Sequence, residues 1–305
     1  MIVDIARFTY SMNTIDSRPV EGEDYFLENG FHVWTAHYLE KRGYCCDCQC
    51  RHCPYEFLNN KKVISLVPSW TNTLIECEVQ VVGRTKFCIH PANSVGDIKV
   101  MGGTKNLKAE VLNSVEADLV LLDKQENPVG FLDDINKPVY ASDVNCVESL
   151  FQEMINLNKI LSNEKLNRLI IKLENLIEID VIQKDLHELP GIIEWLNPIQ
   201  EKIENVLYVI WKQPWMCVSK KTFIASMLEH LGFGKLIPDF DTKYPEILFA
   251  DYNPNNTLLL FSSEPFPFHK KTEEIRGLNY PSAIIDGEAY SWFGSRAIEF
   301  LERNK

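Results

Sequence analysis

The chain has 305 residues, of which 45% are hydrophobic and 24% are charged, an ordinary composition for a soluble globular protein. Its formal net charge of −12 argues against nucleic acid as a partner, because binding of phosphates requires a basic face. At a common size of about 150 residues per domain, the length predicts roughly two domains.

The amino-terminal stretch lacks the character of an export signal. Asp4, Arg7 and Asp16 place charges along it, and no apolar core leads to a small-residue cleavage site. No stretch reaches about 18 uninterrupted apolar residues, so the sequence predicts no membrane span. We therefore expect a cytoplasmic protein whose nine cysteines are mostly reduced.

Residues 1–60 are predicted to form a small separate module that ends in a cysteine cluster. Thiolates at short spacing can bind one metal ion, and Cys50 with Cys53 forms the CxxC half of a zinc or iron–sulfur site. The candidate metal ligands are Cys45, Cys46, Cys50, Cys53 and His52.

The ligand set of this cluster stays open. Cys45 and Cys46 are adjacent, so their side chains diverge and we expect one of them to join Cys50 and Cys53. The fourth ligand would be the second of the adjacent pair or one of His52, His37 and His32. Disulfide or redox chemistry, or inert cysteines, are the alternatives.

Two stretches with the same α/β order flank a helical segment. In the first, residues 61–145, a strand over Val63–Val67 precedes a helix over Thr71–Glu78 with a stop at Gly83, and Ala117–Leu122 forms another strand. The second, residues 206–305, repeats this order. Its elements are a strand over Val206–Trp211, a helix over Phe223–Leu231 capped by Ser219 or Thr222, and a strand over Thr257–Phe261.

The intervening segment, residues 146–205, is predicted to be helical, because Cys146 to Leu189 contains neither Gly nor Pro. Ser162-Asn163 marks a break and a new cap between two helices. A third short helix is predicted over Ile192–Val206. The apolar stripe of the two long helices is interpreted as core.

From Val63 onward the chain resembles the helical-backbone metal receptor family, related to the vitamin B12 and iron-chelate receptors of ABC importers. The matching stretches are SLVPSWTNTL (65–74), VVGRTKFCIHP (81–91), GGTKN (102–106), ADLVLLDKQEN (117–127), VIWKQPWM (209–216), Tyr244-Pro245-Glu246, SSEPFPF (262–268) and IDGEAYSWFGSR (285–296). They occur in order over about 230 residues, which makes the set specific although no single match is.

The resemblance implies an α/β fold with two Rossmann-like lobes joined by a long rigid helix, plus the Cys-rich amino-terminal module. It also implies a ligand held between the lobes. By position, the candidate ligand-binding residues are Pro68, Ser69, Trp70, Lys86, His90, Trp211, Trp215, Glu264, Trp292 and Arg296. Residues Asp24–Tyr55 resemble a short bacterial domain of unknown function marked by GYCC…CRHCPY, to which Cys48 is an addition.

The resulting hypothesis is a cytoplasmic protein that binds a small metal-containing ligand, a corrinoid or another metal chelate. Lys86 and Arg296 would meet anionic groups of the ligand, and His90 would coordinate its metal. The sequence contains no P-loop, G-x-S-x-G elbow or H-E-x-x-H motif that would favour an enzyme. The alternatives are an iron–sulfur redox enzyme acting on a bound cofactor, and a metallochaperone or sensor.

Overall fold

The computed structural model of the protein describes residues 18–28, 30–43, 50–52, 54, 61–128, 130 and 132–305. The chain divides into two compact units. The N-terminal unit contains the described residues up to Ser142 together with Glu153–Ile171, and the C-terminal unit contains Asp143–Gln152 and Lys172–Lys305. No helix in these described ranges is long and apolar enough to cross a membrane.

The described part of the amino-terminal module is a β-hairpin followed by a helix. Strands β1 (Tyr25–Glu28) and β2 (Phe31–Trp34) pair antiparallel, and helix α1 (Ala36–Arg42) follows. The Thr35 hydroxyl caps α1 by accepting a hydrogen bond from the Tyr38 amide at 3.2 Å.

The predicted metal ligands of this module are only partly described. Cys45, Cys46 and Cys53 lie outside the described residues, whereas Cys50 and His52 are within them. The His52 ring lies 5.9 Å from the Phe26 ring. Among the described residues, no group of three or more His, Cys, Asp or Glu is arranged to hold a metal ion.

The N-terminal unit is built on a five-stranded parallel sheet with strand order β5-β4-β3-β6-β7. Strand β6 is buried along its whole length, which is typical of an inner strand of a parallel sheet covered on both faces. In chain order its elements are β3 (Lys62–Ser65), α2 (Pro68–Glu76), β4 (Gln80–Arg84), β5 (Lys99–Val100), α3 (Ala109–Asn113), β6 (Leu119–Asp123) and β7 (Val139–Ser142).

The predicted stop at Gly83 is wrong, because Gly83 lies inside β4. Helix α2 ends earlier, at Glu76, with Cys77 as its C-cap, and Glu78 makes the turn with a left-handed φ of 59°. A side chain in place of hydrogen at Gly83 would approach Met101 to 3.1 Å, so this glycine allows close packing on the sheet.

The helical segment consists of two helices of 15 residues each, α4 (Val147–Leu161) and α5 (Glu164–Glu178). The predicted break is confirmed: Ser162 has a left-handed φ of 49°, and the Asn163 side chain accepts a hydrogen bond from the Leu166 amide at 2.9 Å. The segment therefore contains two helices where the resemblance implies one. Its apolar stripe is buried, as predicted.

The C-terminal unit is built on a mixed five-stranded sheet with order β10-β9-β11-β12-β8. Its three inner strands are parallel, and both edge strands are antiparallel to them. In chain order its remaining elements are β8 (Ile192–Asn197), β9 (Asn205–Trp211), β10 (Met216–Cys217), α6 (Phe223–His230), β11 (Thr257–Ser262), α7 (Thr272–Arg276), β12 (Ser282–Ile285), α8 (Gly287–Ser291) and α9 (Ser295–Asn304).

The predicted third helix over Ile192–Val206 is wrong, because this stretch forms β8 and the start of β9. Isoleucine and tryptophan favour strands, and β8 pairs with β12 at the edge of the sheet. The predicted cap of α6 is confirmed at Thr222, whose side chain accepts a hydrogen bond from the Ala225 amide at 3.2 Å.

Candidate functional site

The residues selected from the sequence lie mainly where parallel strands end. Ligands of open α/β sheets bind beside the carboxyl ends of the strands, where loops rather than strands supply the side chains. Lys86 follows β4, Trp211 ends β9, and Glu264 follows β11.

The first candidates of the N-terminal unit open α2. Pro68 is half-buried and occupies the first turn, where its missing N–H costs no hydrogen bond. Ser69 is buried. Trp70 is fully buried, and its indole N–H donates to the Ser142 hydroxyl at 2.9 Å. The indole of Trp70 therefore packs in the core, and we leave it out of the proposed site.

The loop after β4 presents Lys86 and His90. The Lys86 side chain is exposed, and its ammonium lies 4.9 Å from the centre of the Phe87 ring. The His90 side chain is half-buried. Arg84, the other cation of this loop, has a structural role: its guanidinium donates to the carbonyls of Val95, Thr85 and Cys88 at 2.9, 3.2 and 3.2 Å.

Beneath this loop is a buried group of hydroxyl and thiol side chains. The Thr71 hydroxyl lies 2.8 Å from the Ser65 hydroxyl and 3.1 Å from the Cys88 sulfur, and Thr85 lies 3.2 Å from the same sulfur. Burial raises the pKa of the Cys88 thiol. The thiol therefore fixes the loop and is not poised as a reactive thiolate.

Asn127 is a positioning residue that the sequence analysis missed. Its side-chain N–H groups donate to the carbonyls of Leu66 and Thr104 at 3.2 and 3.0 Å, and its oxygen accepts from the Asp123 amide at 3.0 Å. One buried carboxamide thus joins three loops at this edge. The only signal in the sequence is a polar residue shortly after a buried strand.

In the C-terminal unit, Glu264 is a half-buried carboxylate beside the end of β11. Its Oε1 accepts a hydrogen bond from the Ser291 hydroxyl at 3.0 Å, and the Trp292 side chain also hydrogen-bonds to it. Burial raises the pKa of Glu264, and the nearby carboxylates of Glu288 and Asp286 act in the same direction.

Arg296 and Trp292 adjoin this carboxylate. The Arg296 guanidinium pairs with Glu288 at 2.8 Å, and both side chains are about one-third exposed or less. The guanidinium carbon also lies 4.8 Å from the centre of the Trp292 ring, within the range of a cation–π contact. The charge of Arg296 is therefore largely compensated within the protein.

Gly287 permits the close approach of the loops after β11 and β12. A Cβ at this position would lie 2.3 Å from the Ser262 hydroxyl oxygen and 2.8 Å from Cγ of Glu264. Its amide donates to the Ser263 hydroxyl at 3.0 Å. Glycine is required here for space, and sequence reasoning did not single it out.

The two tryptophans near β9 differ in their surroundings. Trp211 is 41% exposed, and its ring meets the Phe266 ring edge-on at 5.6 Å. Trp215 packs against the aromatic core, with ring-centre distances of 4.8 Å to Phe249 and 6.1 Å to Phe268. Trp211 thus offers an accessible apolar face, whereas Trp215 mainly supports the loop.

The structure therefore assembles one group from the predicted residues of the C-terminal unit: Glu264, Trp292 and Arg296, joined by Ser291 and Glu288. Pro68, Ser69, Lys86 and His90 belong to the carboxyl edge of the N-terminal sheet. A cavity of about 250 Å³ in the C-terminal unit lies at the opposite, amino edge of its sheet. It is lined by none of the predicted residues.

Comparison with solved structures identifies the fold. The periplasmic vitamin B12 binding protein BtuF of Vibrio cholerae matches with a TM-score of 0.56 and 12% identity, over 80% of this chain and 95% of that one. IsdE of S. aureus, solved in complex with heme, matches with a TM-score of 0.60 and 14% identity, over 80% of this chain and 97% of that one. A periplasmic heme binding protein of Pseudomonas aeruginosa matches with a TM-score of 0.58 and 14% identity, over 79% of this chain and 90% of that one. The chain has the two-lobe α/β fold of class III substrate-binding proteins.

Sequence comparison adds one result for the amino-terminal module. Residues 16–59 match a family of unknown function (DUF5522). No curated protein matches the chain.

Proposed function

We propose that this protein binds a metal chelate, a corrinoid or another metal-containing macrocycle, through the carboxyl edges of its sheets. The fold supports this, since proteins of this fold include ones named for binding vitamin B12 and heme. The observation that carries the proposal is the group formed by Glu264, Trp292 and Arg296 where ligands of α/β sheets bind.

Each proposed contact residue supplies a different interaction. The exposed face of Trp211 would pack on an apolar surface of the macrocycle. Lys86 would meet an anionic group, because its side chain is exposed and flexible. His90 would coordinate the metal through an imidazole nitrogen.

Equilibrium dialysis tests the proposal, with the purified, reduced protein against cyanocobalamin, dicyanocobinamide and hemin separately. Stoichiometric retention of at least one compound supports chelate binding, and the compound retained identifies the macrocycle. Retention of none of the three at micromolar concentrations would contradict it.

The role of His90 is tested by substitution. His90→Ala should weaken binding of the retained compound by at least tenfold, about 1.4 kcal/mol, because a coordinating imidazole is lost. His269→Ala is the control, since His269 is an exposed histidine that is not among the proposed contact residues. An unchanged dissociation constant for His90→Ala would remove His90 from the site.

We also propose that the cysteine cluster of residues 45–53 binds a metal ion or an iron–sulfur cluster. The supporting observation is the CxxC pair with three further cysteines within a family match of unknown function. Metal and sulfide analysis of anaerobically purified protein separates the cases. Zinc would indicate a structural site, and iron with sulfide would favour the redox-enzyme alternative. A protein that contains neither zinc nor iron would refute the proposal.

The site of action is a further proposal. We propose the cytoplasm, where buried thiols such as Cys77 and Cys217 stay reduced. The solved Vibrio and Pseudomonas proteins are described as periplasmic, so the periplasm is the alternative. Fractionation of the native host distinguishes the two.

A further inference from the structure

The carboxyl edge of the C-terminal sheet combines carboxylates with cations that are already paired. Glu264 follows β11, and Asp286 and Glu288 follow β12. Arg296 pairs with Glu288, and Lys212, which follows β9, pairs with Glu274. A carboxylate of a ligand placed beside Glu264 would therefore meet negative charge and cations that are largely neutralised.

Glu264 can accept more hydrogen bonds than the structure gives it. A carboxylate has about four acceptor positions, and the structure fills two of them with Ser291 and Trp292. Both donors lie on the segment that ends α8 and enters α9, so the carboxylate is held rigidly at the sheet edge. An N–H donor of a ligand would complete its hydrogen bonding, whereas an anionic oxygen would be repelled.

Resting on the proposed function, we infer that Glu264 makes the site selective for macrocycles with uncharged amide groups at their rim rather than carboxylates. The known chelates divide on this point: corrinoids of the cobinamide type carry side-chain amides, whereas heme carries two carboxylates. Glu264 is then a specificity-determining residue. Its burial strengthens the discrimination, because the interaction with a ligand charge is less screened there.

Two cobalt compounds that share one corrin ring test this inference. Dicyanocobinamide carries amides, and dicyanocobyrinic acid carries carboxylates in their place. We expect the full-length protein to bind the amide form at least about tenfold more tightly. Glu264→Gln should reduce this preference by about tenfold, mainly by tightening binding of the carboxylate form. The glutamine keeps an oxygen that can accept from Ser291, so the loop is preserved.

Glu273→Gln is the matched control, because Glu273 is an exposed carboxylate on α7 and should leave the preference unchanged. Equal affinities of the wild-type protein for dicyanocobinamide and dicyanocobyrinic acid would overturn the inference while chelate binding stands. A preference that Glu264→Gln does not alter would overturn it as well. Binding of hemin or dicyanocobyrinic acid in preference to dicyanocobinamide would do the same. If the wild-type protein binds none of these compounds, the proposed function itself fails.

Discussion

The half-buried carboxyl group of Glu264 makes the stability of the fold depend on pH. Its raised pKa means that the folded protein holds a proton on this carboxyl more tightly than the unfolded chain does. The contribution to folding is therefore complete below the ordinary pKa of 4.5 and is lost as the pH rises through the raised folded value. Above the raised folded value, the ionised carboxylate weakens the folded state.

We predict that Glu264→Gln raises the free energy of unfolding of the ligand-free protein at pH 7. The glutamine removes the buried charge and can still accept from Ser291. The gain should shrink as the pH falls through the raised folded value and should be absent below about 4.5, where the wild-type carboxyl is protonated in both states. Urea unfolding of both proteins between pH 4 and pH 7 measures the difference in their free energies of unfolding. The exposed Glu273→Gln should show no such pattern, and a gain independent of pH would contradict the electrostatic cause.

Contacts between elements set the geometry of the same edge, and Gly287 is the clearest case. We predict that Gly287→Ala lowers the free energy of unfolding by about 1–3 kcal/mol, because its methyl group would overlap Ser262 and Glu264. Denaturant unfolding measures the change.

Gly277→Ala provides the control, since the nearest atoms to a Cβ there are backbone oxygens at 3.4 and 3.7 Å. Its effect should stay within about 0.5 kcal/mol. Equal effects of the two substitutions would show that the close approach at Gly287 does not limit stability.

In the N-terminal unit, Ser142 links α2, β6 and β7. Its hydroxyl donates to Asp123 at 2.7 Å and accepts from the Trp70 indole at 2.9 Å, and all three residues are fully buried. We predict that Ser142→Ala lowers the free energy of unfolding by about 1–3 kcal/mol, because two buried polar groups lose a partner. Ser114→Ala, at an exposed serine of the same unit, should cost less than about 0.5 kcal/mol. Thermal unfolding of both variants compares the two sites.

Over the whole molecule, the sequence predicted elements best where burial is uniform. Strands β6 and β11 are buried along their whole lengths, so their apolar runs were unambiguous. The edge strand β8 is only partly buried, and its mixed pattern was interpreted as helix. Burial in the edge strand depends on a neighbour far along the chain, which a local pattern does not contain.

The candidate site shows a similar division. Glu264 and Arg296 were selected from motifs that follow strands, and both lie at one edge of the sheet, because strand direction fixes which loops meet there. The pairing of Arg296 with Glu288 was not predictable, since it depends on how α8 and α9 turn. The same holds for Trp70, whose indole is directed to Ser142 in the core.

The two compact units give the proposed function a consequence for thermal unfolding. Each unit has its own sheet and core, so we expect two transitions that need not coincide. Lys86 and His90 belong to the N-terminal unit, and Trp211 and Arg296 belong to the C-terminal unit. A ligand at 100 times its dissociation constant stabilises what it binds by about 2.7 kcal/mol.

We therefore predict that the compound retained in dialysis raises the midpoint of the transition of the N-terminal unit, which contains Lys86 and His90, in differential scanning calorimetry. His90→Ala should reduce the shift at the same ligand concentration, whereas the exposed His269→Ala should preserve it. A shift confined to one transition would assign the ligand to a single unit, since only the unit that holds the ligand gains its binding free energy. An unchanged midpoint of the transition of the N-terminal unit would exclude Lys86 and His90 from the site.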